Sequence, residues 1–298
     1  MPSSRNSKKS GRATTYAIYE STKKAELRRL TLQSHMITTA MGGVLSEQSD
    51  PSIFRRVLEV GCGTAEWMVE AAQTSPEMTL VGIDINRVMI EYSRTQAKTQ
   101  GLEARVEFHV MDALRKLEFP ENSFDLVNLR FGISFVRTWE WPDLLFEMYR
   151  VVRPGGIIRL TECEIGTHGT SQALTRLHEL GIRACYKAGY LFTQESAGLT
   201  NHLAELLRKT GCEGVQSKFY PLAFRAGTPE GEAFKEDMEY IFQMTRPLLQ
   251  KWGDIPENYD AIHQQACKNM EQPDFVAIWP HLTAWGYKRG HKPLAEGK

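Results

Sequence analysis

The chain has 298 residues, and its 36 Lys and Arg balance 36 Asp and Glu to a formal net charge of zero. That length can bury a full core, as one large domain or two modest ones, and the balanced charge argues against a broad basic surface for nucleic acid. No apolar run approaches the length of a membrane span, and no apolar leader follows the early basic residues.

Residues 1–14 carry Arg5, Lys8, Lys9 and Arg12 with almost nothing apolar and read as a disordered tail. Over 15–50 the pattern predicts a helical lid: Ser21 or Thr22 caps a helix that ends at Gly42-Gly43. Leu27, Leu30, Leu32, Ile37 and Met41 give that helix an apolar side. Apolar strands then alternate with helices, at about 56–60, 79–83, 105–110, 124–129 and 157–163. This alternation predicts an α/β fold with a doubly wound parallel sheet. Asn86 caps the helix after the second strand, and Gly101 ends it. A core over 51–220 includes a helical insertion at about 168–192, then a helix near 195–210 that stops at Gly211 before a strand at 215–220. Two further helices, near 230–252 and 258–271, have Pro229 and Pro256 near their starts and make a helical cap over 221–276. The segment 277–298 supplies the last core strand, at 277–288, and a tail.

The most informative segment is Val57-Leu58-Glu59-Val60-Gly61-Cys62-Gly63-Thr64-Ala65, a strand, a glycine turn and a helix start. Glycine tolerates unusual backbone angles and lets a ligand approach bare main chain, and the first N–H groups of a helix suit a polar cofactor edge. A dinucleotide fingerprint needs glycine at the sixth position of G-x-G-x-x-G, where this chain has Glu66. The strand Leu80-Val81-Gly82-Ile83-Asp84 ends in an acid able to accept from both ribose hydroxyls, which fits any adenosine cofactor.

The E-x-G-x-G of Glu59, Gly61 and Gly63 resembles motif I of the class I S-adenosylmethionine-dependent methyltransferases. Asp112, just past the strand Val106-Glu107-Phe108-His109-Val110, and the segment Arg150-Val151-Val152-Arg153-Pro154-Gly155-Gly156 also resemble motifs of that family, in its order. The chain is similar to the small-molecule, natural-product branch. The resemblance implies a seven-stranded Rossmann-like sheet, S-adenosylmethionine as cofactor, S-adenosylhomocysteine as product and no metal. It implies that Glu59, Gly61, Cys62 and Gly63 surround the methionine moiety and that Asp84 meets the ribose. Met111 and Asp112 meet the adenine, and main chain at Arg130 forms the floor under the sulfur. Ile85, Met89 and Ala113 are further cofactor contacts. Glu26 to Gln33 resembles the E-x-x-R-L-x-x-Q helix of bacterial and fungal small-molecule methyltransferases, implying a lid with Tyr19 near the sulfonium and Gln33 near the methionine end. Relative to the minimal family plan, the helices between the last two strands are an insertion.

Methyl transfer to a hydroxyl or carbon needs a base when the acceptor keeps its proton. Ligands bind beyond the carboxyl ends of parallel strands, so His168, in a Gly-Thr-His-Gly-Thr loop, is the candidate catalytic residue. Glu162 and Glu164 share a face and either position an acceptor or pair with Arg159; His109 reads as structural. Phe131, Phe135, Trp139, Trp141, Tyr186, Tyr190 and Phe192 suggest an apolar cavity for a small hydrophobic metabolite, methylated on O, N or C. Two alternatives stand beside this: a fold relative that uses S-adenosylmethionine for a cyclisation or rearrangement, and a protein methyltransferase. Asn128-Leu129-Arg130-Phe131 stands where nucleic-acid methyltransferases often carry N-P-P-Y, so no nucleic-acid partner is expected. The cysteines Cys62, Cys163, Cys185, Cys212 and Cys267 are scattered and lack C-x-x-C spacing, as befits free thiols of a soluble cytoplasmic enzyme. The extra helices and aromatics make a homodimer a further expectation.

Overall fold

Strands β1 (Arg56–Val60), β2 (Thr79–Asp84), β3 (Val106–Val110), β4 (Phe124–Arg130) and β5 (Val152–Cys163) run parallel in the order β3-β2-β1-β4-β5. Their apolar runs suit strands covered on both faces. On one face, Leu58, Val127, Leu129, Ile158 and Leu160 pack with α4 (Trp141–Val151) and α6 (Leu203–Thr210). On the other, Val57, Leu80, Leu126 and Ile157 pack with α2 (Glu66–Thr74) and α3 (Arg87–Thr99). The computed structural model describes residues 23–253 and 255–290. The predicted tail, Tyr19 and the caps Ser21 and Thr22 lie outside that range. Among the described residues no helix is long and apolar enough to cross a membrane.

The sheet is completed by β8 (Val276–Lys288), antiparallel to β5, and by β7 (Cys212–Arg225), antiparallel to β8. A two-residue strand, β6 (His168–Gly169), also pairs with β8, so the sheet has eight strands rather than the expected seven. Cys163 at the end of β5 pairs with His281, and β8 extends beyond it through Val276–Pro280. The β7–β8 pair therefore projects past the carboxyl edge of the parallel strands. A helical layer packs on this projection: α1 (Lys23–Ala40), α5 (Gln172–Lys187), α7 (Pro229–Trp252) and α8 (Tyr259–Met270). Phe224 of β7 stacks on Phe234 of α7, with ring centroids 4.7 Å apart, and Trp279 of β8 meets the same ring edge-on.

Three boundaries differ from the sequence reading, each for a local reason. β5 begins at Val152 because the ladder with β4 steps from Phe124–Val152 to Leu126–Ile157, and the Pro-Gly-Gly segment is absorbed as an irregularity with Gly155 at φ +74°. The helix before Gly211 starts late because Phe192 N–H donates to Gly198 O, closing a loop first. β7 exceeds the predicted 215–220 because its pairing continues past a register shift near Gly214 and along the projecting half of β8.

Arg159 of β5, wholly buried, donates from Nε and Nη2 to Glu47 at 2.7 and 3.1 Å and from Nη1 to Asn128 Oδ1 at 2.9 Å. The partner of Arg159 is thus Glu47, not Glu162 or Glu164. Removing one member of a buried pair leaves an uncompensated charge. Glu47→Ala is expected to lose about 3–5 kcal/mol in urea unfolding, whereas Ala at the exposed Glu77 is expected to cost little.

Candidate active site

At the end of β1 the chain makes a left-handed turn, with Gly61, Gly63 and Ala65 at φ +68°, +52° and +58°. A Cβ on Gly61 would meet the Phe135 ring at 3.0 Å, whereas at Gly63 the space is open. The turn is tied to β2: Cys62 N–H donates to Ile83 O (2.9 Å), and Gly63 N–H donates to Asp84 Oδ2 (3.0 Å). Asp84 Oδ1 accepts from Asn86 N–H at 2.7 Å, and Met111 N–H donates to Asp84 O at 3.0 Å. Burial raises the Asp84 pKa, while the two N–H donors to its carboxylate pull it down. Asp112 likewise orders its own turn, accepting from Leu114 N–H at 3.0 Å and pairing with Arg115 at 3.2 Å.

These loops enclose one cavity of about 560 Å³. The β1 turn contributes Glu59, Gly61, Cys62 and Gly63, and the end of β2 gives Asp84 and Ile85, with Met89 one turn into α3. Met111, Asp112 and Ala113 follow β3, Arg130 ends β4, and α1 supplies Gln33. Two wall groups are buried and electrostatically incomplete. Burial pushes Glu59 up to about 8 against the pull of Arg130 and Arg159. Burial likewise brings Arg130 down to about 10. Arg130 Nη1 donates to Thr38 Oγ1 at 3.2 Å, but among the described residues Arg130 Nη2 and Glu59 Oε2 have no hydrogen-bond partner.

The roof is a buried ionic junction between α1 and α7. Arg29 donates to both oxygens of Glu26, at 2.9 Å each, and to Asp237 Oδ1 at 2.5 Å. Gln33, expected near a methionine end, does line the cavity, but its Nε2 donates to Asp237 Oδ2 at 2.8 Å. Beyond this junction Ile241 and Thr245 of α7 join Phe131, Cys163 and Trp279 in the wall.

His168 is not among the cavity's lining residues. It is exposed on β6, its backbone in register with Ile278. His109 is held at 2.9 Å to Glu107. Of the aromatics singled out in the sequence, Phe131 and Phe135 reach the cavity, whereas Trp141 is core and Trp139 is largely exposed. Trp67 and Trp279 line it without having been anticipated. No sequence signal marked Ile241 or Thr245, because their helix reaches the cavity only through the α1–α7 junction. His35, Glu66 and Glu70 bring ligand-type atoms within 4.8 Å of one another, but His35 is exposed and bonded to Glu70.

Glu162 is wholly buried behind Ile133, accepting from its N–H at 3.3 Å, and burial raises it to about 8. Because its folded value lies above the ordinary 4.5, its stabilising contribution is full below that pH and is lost as pH rises towards about 8. Glu162→Gln cannot ionise. Relative to the parent it is expected to match at pH 4 and gain stability up to pH 8, by at most about 1.4 kcal/mol per pH unit, in urea unfolding.

Comparisons with known proteins agree with this architecture. The family described as a methyltransferase domain matches residues 57–156. The demethylmenaquinone methyltransferase of Geobacillus kaustophilus is 31% identical over 186 residues, 58% of this chain and 76% of that protein. The enzyme of the same name from Deinococcus radiodurans is 34% identical over 167 residues, 53% of this chain and 67% of its own length. In fold, the chain resembles Haemonchus contortus phosphoethanolamine N-methyltransferase 2 bound to S-adenosyl-L-methionine, with TM-score 0.51 at 23% identity over 85% of this chain, and spans about half (52%) of that protein. From these relatives and the cofactor-type turn, the chain belongs to the class I S-adenosylmethionine-dependent methyltransferases.

Proposed function

We propose that this protein transfers a methyl group from S-adenosylmethionine to a small, uncharged, mainly apolar ring compound by direct displacement. The observation that carries this reading is the pairing, in one cavity wall, of an unpartnered carboxyl oxygen on Glu59 and an unpartnered guanidinium nitrogen on Arg130. A buried polar atom without a partner is costly. An amino-acid zwitterion would offset both buried charges at once, its ammonium towards Glu59 and its carboxylate towards Arg130. Asp84, after its two backbone bonds, keeps acceptor capacity for ribose hydroxyls, and Met111, Asp112 and Ala113 offer the wall for an adenine.

When bound, S-adenosylmethionine supplies a sulfonium-activated methyl carbon. The chain's own contribution is positioning and exclusion of water: α1 and α7 close over the cavity, and its apolar walls disfavour a charged ground state. His168 has no part in this scheme. The relatives named for demethylmenaquinone support a hydroquinone-type acceptor, the reduced ring being the form whose carbon or hydroxyl oxygen can displace sulfur and release its proton to solvent. The five free cysteines support a reducing, cytoplasmic setting.

The direct test is mass spectrometry of candidate acceptors incubated with the protein and S-adenosylmethionine. Gain of one CH₂ with release of S-adenosylhomocysteine is expected, and an isomerised product of unchanged mass would overturn methyl transfer. Calorimetric titration with S-adenosylhomocysteine tests the site. Since an ammonium favours ionised Glu59, whose free value is about 8, binding below that pH expels a proton. Affinity should therefore strengthen from pH 6 to 8, by at most about tenfold per unit, and level off above; Glu59→Gln should flatten the profile. Asp84→Ala should weaken binding by about 10- to 100-fold, and parent-like affinity would remove Asp84 from the ribose site.

A further inference from the structure

The cavity has a second end that the proposed cofactor contacts do not use. Asp237, Ile241 and Thr245 recur every four residues along α7 and so share one face. Asp237 is gripped by Arg29 and Gln33 of α1, which fixes the rotation of α7 and presents Ile241 and Thr245 to the cavity. From the sheet side come Phe131 after β4, Cys163 at the end of β5 and Trp279 of β8.

The polar atoms of Trp279 and Thr245 are engaged elsewhere. Trp279 Nε1 donates to Glu164 O at 2.9 Å, which fixes the indole and leaves its ring as the contact surface. Thr245 Oγ1 donates to Ile241 O at 2.8 Å, leaving its methyl group. Arg29, the nearby cation, is held by Glu26 and Asp237. Burial keeps Cys163 as a thiol, its pKa far above the ordinary value. The charged group on this stripe, Asp237, is thus spent on Arg29, and a flat uncharged ring would find aromatic and aliphatic surface here.

Resting on the methyltransferase reading above, we propose that Ile241 and Thr245 are the specificity-determining wall for the methyl acceptor, an uncharged aromatic ring held between this stripe of α7 and the Phe131–Trp279 side. The α1–α7 ionic junction acts as the positioning device for that wall. Enlarging a side chain on the wall should exclude the ring without touching the cofactor contacts, and trimming it should admit a larger one.

The test is calorimetric titration of the protein, saturated with S-adenosylhomocysteine, with 1-naphthol as a flat uncharged probe. The wild-type complex is expected to bind it. Ile241→Trp should weaken that binding by at least about tenfold, as overpacking of a fitted pocket does, with S-adenosylhomocysteine affinity unchanged. Thr245→Leu should act in the same direction, and it decides the matter if the Trp variant does not fold. Ile241→Ala should shift preference towards the bulkier 1-pyrenol. Failure of the wild-type complex to bind 1-naphthol would overturn the proposal. So would unchanged binding in folded Ile241→Trp and Thr245→Leu proteins, or a parallel loss of S-adenosylhomocysteine affinity. Failure of the wild-type protein to bind S-adenosylhomocysteine at all would instead strike the functional reading on which the proposal rests.

Discussion

Three loops at the carboxyl edge of the sheet converge on Asp84. Its carboxylate accepts from Gly63 in the β1 turn and from Asn86 in its own loop, and its main-chain oxygen accepts from Met111 beyond β3. Without these bonds, the left-handed backbone from Gly61 to Ala65 would have no anchor on its neighbouring strand except Cys62 N–H to Ile83 O. One half-buried residue, through its carboxylate and its main-chain oxygen, thus aligns the segments that line most of one end of the cavity. Because the carboxylate already serves the turns, its replacement disturbs the frame of the site as well as any ligand contact.

The charges behind that frame are handled in two ways. Arg159 is buried and fully matched, by Glu47 and Asn128. Glu59 and Arg130 are buried and left incomplete, although each feels the other's charge. The contrast is one of energetics: matched buried charge orders the fold, whereas unmatched buried charge carries a cost that a bound ligand can offset.

Much of this was legible in the sequence because it is local. A glycine turn between an apolar strand and a helix, or an acid at a strand tip, is specified within a few residues, and the positions from Glu59 to Ala113 that the family resemblance singled out line one cavity. That the helix near 230–252 caps a site could be expected from its place as an insertion, but which of its residues face the cavity was not legible, because those walls meet only through contacts between α1 and α7 and through the projecting half of β8. The Arg29–Asp237 pair joins residues far apart in the chain, and no periodicity announces it. His168 misled for the opposite reason. A histidine after a strand in a polar glycine loop has the right local chemistry, but its backbone is drawn into an extra strand at the sheet edge. The aromatics divided similarly: Trp141 and Tyr190 serve the core, and composition cannot distinguish them from Phe131 or Trp279.

The antiparallel ladder between β5 and β8 has a consequence for how the chain reaches this state. Between those strands the chain must make α5, α6, β7, α7 and α8, so β5 remains an open edge while the helical layer assembles. Pairings between distant segments form slowly, because loop closure must precede any gain from contact, and an exposed apolar edge invites strand addition from another molecule. The arrangement that carries the helical roof over the cavity therefore makes the final docking of β8 a natural slow step in folding and the stage most exposed to aggregation.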